Sequence, residues 1–347
     1  MRTSPGTANG HRYDVVVIGG GAAGLSGALT LARARRSVLV IDGRRPRNAP
    51  AAHAHGFLTR DGVPPLQLLA MGRDEVTGYG GEIVEGQVVA AERPAGGGFR
   101  LTLDDGTAAL AKRLLVTTGL VDELPDIPGL ADRWGREVLH CPYCHGWEVS
   151  GQAIGILATG PLAVHQALMW RQWSTDVTLF LHTAPEPDSE QYEQLAARDI
   201  AVVDGEVTAV ETTDGRLSGV RLADGHVIAR QALVVAPRFT ARADLPAQLG
   251  LRPTEQEVNG AVIGSYIAAD PTGATDVPGV WAAGNVVNLT DQVVGAAAAG
   301  VRAAAAVNAD LTAEETRRAV AARRTVFSPE REREVAERVL GDRRHGF

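Results

Sequence analysis

The chain has 347 residues, of which 45% are apolar, 22% charged and 5% aromatic, and its net charge is −7. That length allows about two domains on the usual prior, and the acidic balance argues against the basic stripe that nucleic-acid binding needs. No apolar run reaches the roughly 18 residues of a membrane span, and the opening MRTSPGTANGHR lacks the apolar core of a secretory signal.

The expected location is the cytoplasm, with residues 1–12 as a flexible lead-in. Tyr13 to Ile18 reads as a continuous apolar strand running into Gly19-Gly20-Gly21-Ala22-Ala23-Gly24. Leu25 to Arg35 has helical composition, and Ser37 to Ile41 reads as a second strand ending at Asp42. Strand, Gly-x-Gly-x-x-Gly turn, helix, strand and acid together form a dinucleotide-binding signature. The glycines let backbone approach a pyrophosphate at a helix N-terminus, and an acid at Asp42 can bind a ribose hydroxyl. The motif alone fits either FAD or NAD.

Gly98 to Leu103, an Asp105-Gly106 turn and Leu114 to Gly119 then read as a hairpin leading into a buried strand. The chain's two cysteines follow in LHCPYCHGW, as Cys141 and Cys144, with His145 next. Taken alone, this stretch could be a redox disulfide, half of a metal site or two core thiols.

A second strand–turn–helix start follows, Ala153 to Leu157, then Ala158-Thr159-Gly160-Pro161-Leu162-Ala163, a helix to about Trp173, and a strand Val177 to Leu181. A hairpin Leu217 to Leu222 with an Asp224-Gly225 turn and the strand Leu233 to Ala236 repeat the earlier pattern. The fold class is therefore α/β, with two tandem Rossmann-like folds, each carrying a β-meander insertion. The phosphate-binding pattern is worn in the latter fold. Ala158 replaces the first glycine, and Pro161 at the helix start removes a backbone N–H. Leu181-His182-Thr183 offers neither an acid nor an arginine pair for a nicotinamide nucleotide.

Asp276 to Asn285 is a strand closing on a small-residue turn, followed by an Ala-rich helix from Val293 to Asn308. That helix can pack closely on another backbone, and its N-terminus near Gln292 and Val293 can face an electron-rich ring. Residues 312–347 carry mixed charges and read as one or two exposed helices broken at Ser328-Pro329, with a solvated face.

Four motifs in order, GGGAAG, VTTG at 116–119, CPYC at 141–144 and VPGVWAAGN ending at Asn285, resemble the low-molecular-weight thioredoxin reductase family. The resemblance implies a discontinuous FAD-binding domain of residues 1–121 and 246–311. It also implies a central NAD(P)-like domain of 122–245 carrying the CxxC, and a helical tail of 312–347. It implies FAD contacts from Gly19, Gly21, Ala22, Gly24, Asp42, Asn48, His55, Val88, Thr118, Gly119, Gly284 and Asn285, with Gln292 and Val293 by the flavin ring, and a homodimer. His145 stands where reductases have Asp, and His182-Thr183-Ala184 where they have His-Arg-Arg. Both departures look like the small-molecule dithiol oxidases that close the disulfides of gliotoxin and holomycin. That resemblance implies a FAD-dependent enzyme that oxidises a small-molecule dithiol and passes electrons to oxygen.

On that reading Cys141 exchanges with substrate, Cys144 faces the flavin and His145 serves as acid–base, since thiols near pKa 8.5 need a proton acceptor and imidazole titrates near 6.5. His53 and His55 are further candidate proton relays. A metal is argued against, because one CxxC supplies two of the four ligands a structural zinc takes. NADPH is argued against by the worn loop. The competing readings are a NAD(P)H-dependent thioredoxin reductase, a reductase fed by a protein donor such as ferredoxin, and a non-catalytic redox-sensing flavoprotein.

Overall fold

The computed structural model describes residues 12–326 and 328–341. The lead-in at 1–11 and the end at 342–347 lie outside the described residues.

The first fold is a seven-stranded sheet. Its path runs Glu82–Glu85, Val38–Asp42, Arg12–Ile18, Ala108–Val116, Phe99–Leu103 and Val88–Glu92, with Val280–Ala282 also paired to Ala108–Val116. Successive strand residues alternate faces. Val15 and Val17 pack with Leu25, Leu31, Ala303 and Val307 on one side. Val16 and Ile18 pack with Leu114, Phe99, Leu101 and Leu245 on the other. Burying one such aliphatic side chain is worth roughly 1.5–3 kcal/mol, so this sheet anchors the molecule.

The second fold is a five-stranded parallel sheet, Ala201–Val203, Val177–Phe180, Ile154–Leu157, Ala232–Val235 and Val138–Leu139. Its meander does not join it. Val207–Thr213, Arg216–Leu222 and Val227–Ala229 form a separate three-stranded sheet. The physical reason lies in one strand. In the first fold Ala108–Val116 runs unbroken, pairing with Phe99–Leu103 by its first half and with Val280–Ala282 by its second. In the second fold the corresponding stretch breaks at Arg230 and Gln231, so meander and main sheet part. A fourth sheet links the two folds: Leu120–Glu123 pairs antiparallel with Arg238–Ala241, beside Ala261–Ile267 and Pro253–Val258.

Helix bounds differ from the sequence reading. The first helix is Ala22–Arg33, and the second fold's helix is Ala163–Trp170, preceded by a Gly160 turn that leaves Pro161 outside it. The C-terminal helix does not stop at Asn308 but runs Val293–Val326. No glycine or proline interrupts 301–326, and two arginines of the first fold hold it. Arg36 donates to Asn308, Thr312 and Glu315. Arg113 donates to Asp310 and Glu314 at 2.6 and 2.7 Å. The start of the tail is thus pinned on one side, while most of its residues from Thr312 onward are exposed as expected. A second helix, Pro329–Leu340, starts where Ser328 accepts from the Arg331 N–H.

The glycine-turn helix Ala22–Arg33 crosses the long helix closely. A Cβ on Gly300 would lie 2.0 Å from the Ala23 carbonyl oxygen, so the small-faced stretch is a packing surface.

Candidate active site

One cavity of about 1780 Å³ runs between the two folds. Ligand pockets usually hold about 300–1,000 Å³, so this space exceeds that of one ordinary small ligand. At one end sits the glycine turn. A Cβ on Gly24 would fall 1.9 Å from the Gly19 carbonyl oxygen, so strand and helix meet there without room for a side chain. Gly21, by contrast, has nothing within 4 Å of where its Cβ would be. It is the N-cap of Ala22–Arg33 and no side chain caps that helix, so the first-turn N–H groups face open space. An uncapped helix N-terminus beside a cradle a side chain would fill is suited to an anionic diphosphate.

The residues expected around FAD are placed as follows. Gly19, Gly21, Ala22 and Asp42 line the cavity, as do Asn48, Val88 and, beside the cysteine loop, His55. Gly24 does not line it but fixes the turn behind it. Asp42 accepts from Arg73 Nη2 at 2.8 Å and from the Arg44 N–H at 3.0 Å. Thr118 and Gly119 line the middle, where Thr118 Oγ1 donates to the Arg242 carbonyl and Arg242 N–H to the Gly119 carbonyl. Gly284, Asn285, Gln292 and Val293 also line the cavity, Gly284 lying against Ala23 of the glycine-turn helix. Asn285 Nδ2 donates to the carbonyls of Asn288 and Asp291, both at 2.9 Å, and so sets the loop that feeds the long helix. Burial raises the Asp291 carboxyl's pKa, against the pull of Arg302.

The cysteine pair sits over that helix start. Cys141 and Cys144 are disulfide-bonded, with Cα atoms 5.3 Å apart. Cys141 is the N-cap of a single turn, Pro142–His145, whose Cys144 and His145 N–H groups both donate to its carbonyl. Gly146 follows with no room for a Cβ, which would press on Trp173 and the Pro142 carbonyl oxygen. Gln292 Nε2 lies 3.9 Å from Cys141 Sγ. The structure thus brings the two cysteines, His145 and the Gln292–Val293 helix start into one space.

His145 is largely buried, and burial lowers its pKa; Glu148 pulls it up and His55 pushes it down. His140, on the other flank of the pair, donates its Nδ1–H to the Val235 carbonyl (3.1 Å) and stands edge-on to Phe239. Burial lowers its pKa too. Arg47 covers Phe239 and makes a bidentate pair with Asp122 at 2.7 and 2.9 Å. Sequence reasoning missed Glu148, His140, Arg47 and Arg242. Adjacency could have flagged two of them, His140 beside Cys141 and Glu148 three residues after His145. Arg47 and Arg242 reach the site from distant parts of the chain.

The second nucleotide turn lines the same cavity through Thr159, Gly160, Pro161 and Leu162. Thr159 Oγ1 donates to the Ala236 carbonyl. His182, after the second strand, has φ +49° and its Nδ1 accepts the Val207 N–H at 3.1 Å. Among the described residues no group of three or more His, Cys, Asp and Glu side chains could hold a metal ion, and no helix is long and apolar enough to cross a membrane.

Comparison with known proteins agrees with this geometry. The chain is similar to "Thioredoxin reductase tcpT" of Claviceps purpurea, 32% identical, covering 87% of this chain and 97% of the relative. It is similar to "Thioredoxin reductase sirT" of Leptosphaeria maculans, 31% identical over 85% and 93% of the two chains. The crystal structure of HlmI superposes with a TM-score of 0.84 at 48% identity, over 91% of this chain and 98% of that one. An oxidoreductase from Agrobacterium tumefaciens superposes at 0.81 with 37% identity, over 87% and 99%. The protein is a thioredoxin reductase-like redox enzyme whose family implies a flavin. Over residues 13–304 it matches the pyridine nucleotide-disulphide oxidoreductase family, and the chain belongs to that family.

Proposed function

We propose that the protein is a FAD-dependent dithiol oxidase that closes an intramolecular disulfide in a small-molecule natural product, with oxygen as final acceptor. The observation that carries this reading is the state of the second nucleotide turn. His182 is engaged by Val207, so its ring accepts a backbone N–H instead of facing a ligand. Neither acid nor arginine pair stands at that strand end. On this reading electrons enter through the cysteines.

The exchange chemistry follows from the residues in place. A substrate thiol loses its proton to His145 and its sulfur attacks Cys141, breaking the Cys141–Cys144 bond. The second substrate thiol, once deprotonated, displaces Cys141. One S–S bond forms in the product, one is lost in the protein, and two electrons and two protons leave the substrate. An imidazole whose pKa is lowered by burial is suited to taking a proton from a thiol. The Gly19–Gly24 turn, Asp42, Asn48, Thr118 and the Gln292–Val293 helix start would hold FAD, which when bound would supply the two-electron acceptor for the cysteine dithiol, with oxygen as the final acceptor. The catalytic unit is a homodimer in the cytoplasm on this reading.

A second reading, NAD(P)H-dependent reduction of a protein disulfide, draws support from the cavity's extension to Gly160 and His165 and from the relatives' printed name. One experiment separates the two. The purified yellow protein is mixed anaerobically with NADPH, NADH or dithiothreitol while flavin absorbance is followed. Bleaching by the dithiol alone, with peroxide formed on admitting air, supports the oxidase. Rapid bleaching by NADPH overturns it.

A further inference from the structure

A histidine of the first fold reaches across to the cysteine loop of the second. His55 lies on the loop that follows Asp42, and its side chain is 21% exposed. Its Nδ1 sits 3.2 Å from Asp61 Oδ2, and Asp61 is itself fixed by the Gly56 N–H at 2.8 Å. Its Nε2 sits 3.2 Å from Glu148 Oε1. Nε2 makes no hydrogen bond there, so the contact is an ion pair when the imidazole carries its second proton. Glu148 stands three residues after His145. Asp61, His55 and Glu148 therefore form a carboxylate–imidazole–carboxylate row, drawn from both folds, that ends at Glu148, three residues from the acid–base histidine and acting on it by charge.

We propose that Glu148, held by His55 with Asp61 behind it, is the positioning residue for His145 and couples the placement of the cysteine loop over the flavin site to the readiness of that imidazole. The proposal rests on reading Cys141–Cys144 as a dithiol-exchanging pair. The charged groups facing His145 are Glu148 and His55, which act on it in opposite senses. Those facing His55 are Asp61, Glu148 and, edge-on at 6.2 Å, the His53 ring. A carboxylate favours the imidazolium, so it raises the pH at which His145 becomes a base; a second imidazole does the reverse.

The test is the pH profile of flavin reduction by dithiothreitol under anaerobic conditions, measured on the flavin-loaded wild type, Glu148→Gln and His55→Gln. The acid limb of the profile reports His145. Glu148→Gln moves that limb to lower pH by roughly half a unit to one unit, the scale of a close, partly screened charge. His55→Gln keeps a neutral N–H donor to hold Glu148 and removes only the opposing positive charge, so it moves the limb to higher pH. Opposite displacements cannot come from a loosened loop, which lowers the rate at every pH. Limbs that coincide with the wild type, or that move in the same direction, overturn the proposal. Dithiothreitol meets the disulfide whatever the natural donor, so bleaching by NADPH would overturn the oxidase reading and leave this test standing.

Discussion

The two nucleotide folds share a plan and differ at the few atoms that decide what each can hold. In the first, the turn reads Gly19-x-Gly21-x-x-Gly24 and the helix begins at Ala22. In the second it reads Ala158-x-Gly160-x-x-Ala163 and the helix begins at Ala163, two places later in the motif. At 1.5 Å per residue that withdraws the N–H groups by about 3 Å. The strand ends differ in the same way. Asp42 lines the cavity, whereas His182 turns its Nδ1 to the Val207 N–H. A sheet and helix can persist after the ligand contacts have gone, because the core needs only the apolar alternation. What is lost sits in the turn and at one strand end.

The sharpest way to break this comparison is to change the same place twice. Gly21 and Gly160 both have open space where a Cβ would be. Gly21→Val fills the cradle at an uncapped helix N-terminus and removes hydrogen bonds to a charged ligand worth roughly 1.5–3 kcal/mol. The expected result is flavin affinity lower by on the order of 100-fold, seen as colourless protein after gel filtration. Gly160→Val should leave flavin content and dithiol turnover as they are. Equal loss in both variants would mean that the second turn still holds something the enzyme needs.

Gly24 offers the next largest effect. Its absent side chain lets strand and helix touch, and Gly24→Ala forces a methyl against the Gly19 carbonyl. Overpacking of this kind costs roughly 1–3 kcal/mol, read as a lower urea midpoint. The matching residue, Ala163, is buried in the second fold's core. Ala163→Gly should cost only about 1 kcal/mol, through helix propensity and a small void. A smaller effect still is expected at His182. His182→Leu leaves the buried Val207 N–H without its acceptor, at about 1 kcal/mol or slightly more, and it should not change the response to NADPH.

The first nucleotide turn could be read from sequence because its signal is local: glycines at fixed spacing, an apolar strand before them and an acid after. The cysteine motif was legible for the same reason. Two things were not. The length of the C-terminal helix depends on Arg36 and Arg113, more than 190 residues away in the chain, and no window around Asn308 contains that information. The row Asp61–His55–Glu148 joins loops of different folds, and residue spacing says nothing about which loops meet. The parting of the second meander from its sheet turned on Arg230 and Gln231, two polar residues where the first fold has an unbroken strand. That difference was visible in the sequence but has meaning only once strand pairing is known.

Acid should distinguish the folds as well. Three imidazoles of the second fold, His140, His145 and His182, have pKa values lowered chiefly by burial. Each folded-state value lies below the unfolded value near 6.5. Between those values the unfolded chain binds more protons than the folded one, so stability rises with pH across the window. Their contribution is fully present above pH 6.5 and is lost as the pH falls through the lowered folded values. Of the first fold's shifted carboxyls, Asp291 is raised by burial, whereas Asp14 and Asp61 titrate further down: burial pushes Asp14 up, but hydrogen bonds from Lys112 and Ser37 and the Lys112 charge outweigh it, and the Gly56 N–H and His55 lower Asp61. Between about pH 6.5 and 5 the second fold should therefore loosen first. Hydrogen exchange, corrected for intrinsic rates, checks this: protection should fall in Ile154–Leu157 and Val177–Phe180 while Arg12–Ile18 and bound flavin hold. Uniform loss of protection in both sheets would show that the two folds open as one unit and that burial of these imidazoles does not set the acid limit.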